Sequence, residues 1–149
     1  MKVWKCRTLA QRTELAEYFA NLCKVWAHKV GLTHWDITVS LEFGTDVTQE
    51  HREQLDNKTG AVTVANPTYE RASIYLCALD EDTHWTQREV EEFACHEVVH
   101  ILLSPVTNSF GDNFLESRTI ESTVTRTSRA LMGWLDQSSI KARQPQVSA

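Results

Sequence analysis

FACHEVVHILLSP, Phe93 to Pro105, sets two histidines around a glutamate in an otherwise apolar run. Its reading decides the fold: the stretch is either a helix that carries a metal site, or a buried helix whose histidines simply bond to neighbours. Helix-start signals stand just upstream. Thr86 followed three residues later by Glu89 makes a capping box, and Trp85 and Val90 have the spacing of a hydrophobic staple. Pro105, which cannot donate to a helical ladder, is expected to stop the run. Helical placement of the histidines thus has support that does not depend on the histidines themselves.

On such a helix His96 and His100, four apart, leave the same face one turn apart. Two imidazoles at that spacing can take two corners of a tetrahedral zinc ion. Glu97 sits about 100° around from His96, close enough to act on an activated water without becoming a ligand. Its carboxylate could take the proton of that water and later deliver it to a leaving amine. These are the mechanics of the HExxH motif, whose chance expectation in a chain with this many histidines and glutamates is roughly 0.02. A helix with uncompensated imidazoles in an apolar run would also be costly, so the metal reading is preferred.

Two histidines do not complete a site. The downstream carboxylates are Asp112, Glu116, Glu121 and Asp136. Glu116, three after Asn113, would serve a capping box at the start of another helix. Glu121 lies past that first turn, where no cap needs it. It leads Val124, Ser128, Leu131 and Leu135 at steps of three and four, at the border of the inward face. A carboxylate there needs a cation, and Glu121 is therefore the preferred third ligand, against an ion pair with Arg118 or Arg126.

The rest of the chain supplies an α+β frame. Thr8 to Val30 carries Leu15, Phe19, Leu22, Val25, Trp26 and Val30 at helical steps, with Gly31 placed to end the helix. WDITVSLEF alternates strictly, with Trp35, Ile37, Val39, Leu41 and Phe43 on one face. Residues 44–60 read as a polar excursion with a short helical turn near Gln49 to Leu55. AVTVAN and RASIYLCAL are two further strands around the Asn66-Pro67 turn. After the motif helix, a second helix is expected from about Asn113 to Trp134. The predicted architecture is one domain over 1–137: an N-terminal helix, a small mixed three-stranded sheet, the motif helix and a C-terminal ligand-bearing helix. Residues 138–149 are expected to be a polar, frayed tail.

The 149 residues suffice for one core, and 42% hydrophobic and 23% charged residues are ordinary for a globular chain. A net charge of -5 offers no footprint for nucleic acid or an anionic membrane. No apolar run nears the roughly 18 residues needed to span a bilayer. The N-terminus does not read as a secretory signal. Cys6, Cys23, Cys77 and Cys95 form no CxxC pair and are expected to be reduced, buried thiols, which fits a bacterial or phage-infected host cytosol.

HEVVH on one helix and IESTVTRTSRAL on the next resemble the gluzincin class of zinc metallopeptidases, and more narrowly the small minigluzincin-like proteins often encoded by phages. The resemblance is firm over Thr86 to Leu135 and weaker over the strands. It implies a minimal zincin-like fold, a Zn2+ cofactor held by His96, His100 and Glu121, Glu97 as general base, and a peptide or protein substrate. It also implies an edge strand beside the motif helix that pairs with extended peptide, for which RASIYLCAL is the candidate. A monomer or weak oligomer is expected. The second acidic motif of larger gluzincins has no match here. The oxyanion-stabilising group has three candidates, Tyr69, Tyr75 and His84. Cys95 is read as a structural thiol, and Arg126 and Arg129 as solvated unless substrate carboxylates meet them. His28, His34 and His51 lack partners at ligand spacing and are read as non-functional.

Overall fold

The computed structural model describes residues 1–55, 60–108 and 114–143. Strand β1 (Val3–Lys5) leads into helix α1 (Leu9–Lys29), strand β2 (Asp36–Phe43) and the short helix α2 (Gln49–Gln54). Strands β3 (Ala61–Asn66), β4 (Arg71–Ala78) and β5 (His84–Thr86) follow, then helices α3 (Gln87–Thr107) and α4 (Phe114–Arg143). The architecture is α+β around a small mixed sheet, as the sequence predicts.

Local chemistry explains the boundaries. Thr8 and Gln11 form a reciprocal capping box at the start of α1. At its end Gly31 takes φ +81°, and the amides of Gly31 and Leu32 donate back to His28 and Ala27 at 3.2 and 2.8 Å. That is a Schellman closure, which a residue with a Cβ would strain. At the start of α3 the Thr86–Glu89 box is closed in both directions, at 2.7 and 3.2 Å. Trp85 packs edge-on against Phe93 at 5.8 Å between ring centroids. Pro105 does not stop α3, which continues to Thr107. The missing proline amide would orphan the carbonyl of Ile101; the Ser104 hydroxyl donates to it instead, at 2.8 Å.

The three-stranded sheet has the order β2-β4-β3, with β2 parallel and β3 antiparallel to β4. RASIYLCAL is therefore the central strand, not the edge expected of it. Its nearly unbroken buried run, Ile74, Leu76, Cys77 and Ala78, is the pattern of a strand covered on both faces. The edge strand beside α3 is β3.

One face of the sheet carries the main core. Leu15, Phe19 and Cys23 of α1 meet Ile74 and Leu76 of β4, Val90, Val98 and Ile101 of α3, and Val124 of α4. The opposite face holds a smaller cluster of Val47, Val62 and Cys77, flanked by Leu55 and Tyr75. Two elements escaped the sequence reading: β1 and β5 pair antiparallel, tying the N-terminus to the entry of α3. Three-residue strands are too short to show a period. Helix α4 also runs past Trp134 to Arg143, through part of the expected tail, with no glycine or proline between Trp134 and Pro145 to stop it. Its expected start at Asn113 and the last residues of that tail lie outside the described residues.

Candidate metal centre

Helix α3 points His96 and His100 toward α4, where Glu121 meets both. The two Nε2 atoms are 3.2 Å apart. His96 Nε2 lies 3.3 Å from one carboxylate oxygen of Glu121, and His100 Nε2 lies 3.0 Å from the other. Bonds of about 2.0–2.1 Å from a tetrahedral zinc ion place neighbouring ligand atoms about 3.3 Å apart. The two ring nitrogens stand apart like neighbouring corners of such a tetrahedron, and the Glu121 carboxylate faces both with one oxygen each, so two imidazoles and a carboxylate converge as a donor set that fits zinc. Asp112 lies outside the described residues, as do the side chains of Glu116 and Asp136. The Glu121 carboxylate pairs with the histidines, and no ion pair with Arg118 or Arg126 occurs among the described residues.

The electrostatics match the geometry. Hydrogen bonds from His100 and then His96 hold the Glu121 carboxyl well below the usual carboxylate range, overcoming the opposing effect of burial. Burial works to lower the pKa of His100, but the hydrogen bond to Glu121 and the charges of Glu97 and Glu121 outweigh it, and the net shift is upward. The site attracts positive charge, whether a proton or a cation. A divalent ion there would replace the shared protons without leaving a donor unmatched.

Glu97 turns toward the sheet. It is 3% exposed, and its Oε2 accepts a 2.6 Å hydrogen bond from the hydroxyl of Thr63 on β3. Sequence reasoning missed Thr63. A signal was present: in AVTVAN it stands in phase with Ala61 and Ala65, both in the main core, and is the one hydroxyl on that face. A polar group in such a place needs a partner, and Glu97 is the partner.

A cleft of about 1060 Å³ between α3 and α4 opens onto His96 and Glu121 and is lined further by His84, Phe93, Arg118 and Arg126. Of the three oxyanion candidates, only His84 reaches it. Tyr69 is 72% exposed in the turn between β3 and β4. Tyr75 packs against His51 on the far face of the sheet, at 4.5 Å between centroids. Arg126 and Arg129 are exposed along the cleft wall. Cys95 is buried against the Ser128 carbonyl, with its thiol pushed up to about 12 by burial. His34 meets Glu70 in an exposed pair at 3.5 Å. His51, in contrast, is buried and hydrogen-bonded to Glu42 at 2.8 Å, a partner that sequence spacing does not reveal.

Comparison with protein-family models, with curated proteins and with solved structures finds no match to this chain.

Proposed function

We propose that this chain is a zinc-dependent metallopeptidase of the gluzincin, minigluzincin-like type, with His96, His100 and Glu121 as ligands and Glu97 as general base. The observation that carries the reading is the convergence of His96, His100 and the Glu121 carboxylate, with contacts of 3.0 to 3.3 Å among them, beside a buried glutamate on the histidines' own helix. A zinc ion there would supply Lewis acidity, lowering the pKa of a water to near neutrality and polarising the scissile carbonyl.

The remaining work falls to the chain. Glu97 takes the proton of the attacking water and passes it to the leaving amine. Thr63 occupies Oε2, so Oε1 is the oxygen left for proton transfer. Strand β3 has β4 on one side and no strand on the other among the described residues, which gives an extended peptide an edge to pair with. His84, on the cleft wall, is the group best located to meet the carbonyl oxygen. No helix among the described residues is long and apolar enough to cross a membrane. Together with four buried free cysteines, that supports action in a reducing cytosol.

Glu97→Gln tests the reading. It should keep zinc and lose cleavage of a broad peptide library by about 10²–10⁴-fold. Persistent cleavage would remove Glu97 from the mechanism. A second reading, a zinc-stabilised binding module without turnover, draws support from the distance of Tyr69 and Tyr75 from the cleft. A wild-type chain that binds zinc and cleaves nothing would favour it.

A further inference from the structure

We propose a second metal site on the opposite face of the sheet, in which Glu42, His51 and Cys77 hold one thiophilic divalent ion, Zn2+ by the chemistry of its donors. Strands β2 and β4 run in parallel register with Glu42 beside Cys77. Helix α2 sets His51 over that pair, with Nδ1 2.8 Å from Glu42 Oε2. The Cys77 sulfur is 4.0 Å from the same oxygen, and the three donor atoms lie within 4.8 Å of one another. His51 is 8% and Cys77 2% exposed. Around them stand Val47, Val62, Leu55 and Tyr75.

A thiol, an imidazole and a carboxylate converge beside a small apolar cluster. One zinc–sulfur bond of about 2.3 Å and zinc–nitrogen or –oxygen bonds of about 2.0–2.2 Å give ligand separations of about 3.3–3.6 Å. The observed 2.8 and 4.0 Å bracket that range, and all three donors lie within 4.8 Å, so side-chain adjustments complete the set. A water molecule would take the fourth position. The nearby Arg52 does not compete, because its guanidinium is tied to the carbonyls of Gly44 and Val47 at 2.6 and 3.2 Å. A sulfur donor with an imidazole selects zinc over magnesium or calcium.

Binding exchanges protons for the ion. The Cys77 thiol loses its proton to solvent as the sulfur–metal bond forms, and His51 moves its remaining proton to Nε2 so that Nδ1 can coordinate. No oxidant or reductant is involved. The ion would clamp α2 to the sheet. At six residues, α2 is far too short to be stable alone, so an anchor has a structural purpose.

This inference stands on residues that the metallopeptidase reading does not use, and cobalt separates the two. The site on α3 and α4 offers only nitrogen and oxygen, whereas Cys77 gives cobalt a thiolate charge-transfer band in the near ultraviolet. The full chain, stripped and titrated with Co2+, should take up two ions and show that band. A His96→Ala/Glu121→Ala variant should lose one ion and keep the band; Cys77→Ser should lose the band and keep the other ion. Should Cys77→Ser fail to fold, His51→Gln serves in its place, weakening the band in proportion to the ion lost. A wild-type chain that binds cobalt without any thiolate band, or a band that survives Cys77→Ser, overturns the proposal.

Discussion

The two faces of the sheet carry two clusters built from the same kinds of residue and very different in access. On one, Glu121 has a side chain 56% exposed at the mouth of a cleft, and the histidines it meets are 13% and 22% exposed. On the other, the paired side chains of Glu42 and His51 are 16% and 10% exposed, and Cys77 is sealed beneath them. The open cluster can admit a substrate and the sealed one cannot. The contrast teaches that donor chemistry alone does not separate a catalytic centre from a structural one. Accessibility does: the cleft opens onto His96 and Glu121, whereas Glu42, His51 and Cys77 are enclosed.

Emptying each site should therefore produce different losses. The largest effect is expected from removing both ions with a strong chelator. A ligand held at about 1,000 times its dissociation constant contributes about 4 kcal/mol, so the melting temperature should fall by several degrees per site. Calorimetry on Glu121→Ala and Cys77→Ser then divides the loss: the first variant should lose cleavage, and the second should lose mainly thermal stability. Equal loss of cleavage in both would erase the distinction between the clusters.

Thr63→Val comes next. It strips the buried Glu97 of its hydrogen-bond donor, costing about 1–3 kcal/mol of stability. Turnover should drop while zinc content and KM hold, and Thr63→Ser should restore it. Unchanged turnover in Thr63→Val would make the 2.6 Å contact purely structural. Gly60→Ala probes the same edge strand. An added Cβ would meet the Trp85 ring at 2.6 Å, so a loss of about 1–3 kcal/mol is expected in a denaturant melt. The smallest effect is assigned to Thr86→Ala, which removes the cap of α3 at about 1 kcal/mol and should leave both ions in place.

What could be read in the sequence was what local chemistry dictates. The cap at Thr86, the Gly31 closure and the alternation of β2 are decided by residues within a few positions of one another. The histidine pair was legible for the same reason, since four residues on a helix determine where both rings go. Glu121 needed only the phase of the second helix, and the structure does bring it to the histidines.

Tertiary choices were hidden. The apolar content of RASIYLCAL marks a strand but not its neighbours, and strand order made it central. His51 showed no partner because Glu42 and Cys77 reach it only through the β2–β4 register and the placement of α2. Tyr75 sits on a strand whose successive side chains take opposite faces, and its phase assigns it to the face away from α3. Pro105 misled through a rule that holds unless a side chain replaces the lost donor, as Ser104 does.

The central claim is the triangle formed by His96, His100 and Glu121, and anomalous diffraction at the zinc edge tests it most directly. Crystals of the zinc-loaded chain should show a peak about 2.0–2.2 Å from both Nε2 atoms and from a carboxylate oxygen of Glu121. Zinc-loaded crystals with no peak among those three side chains would contradict it.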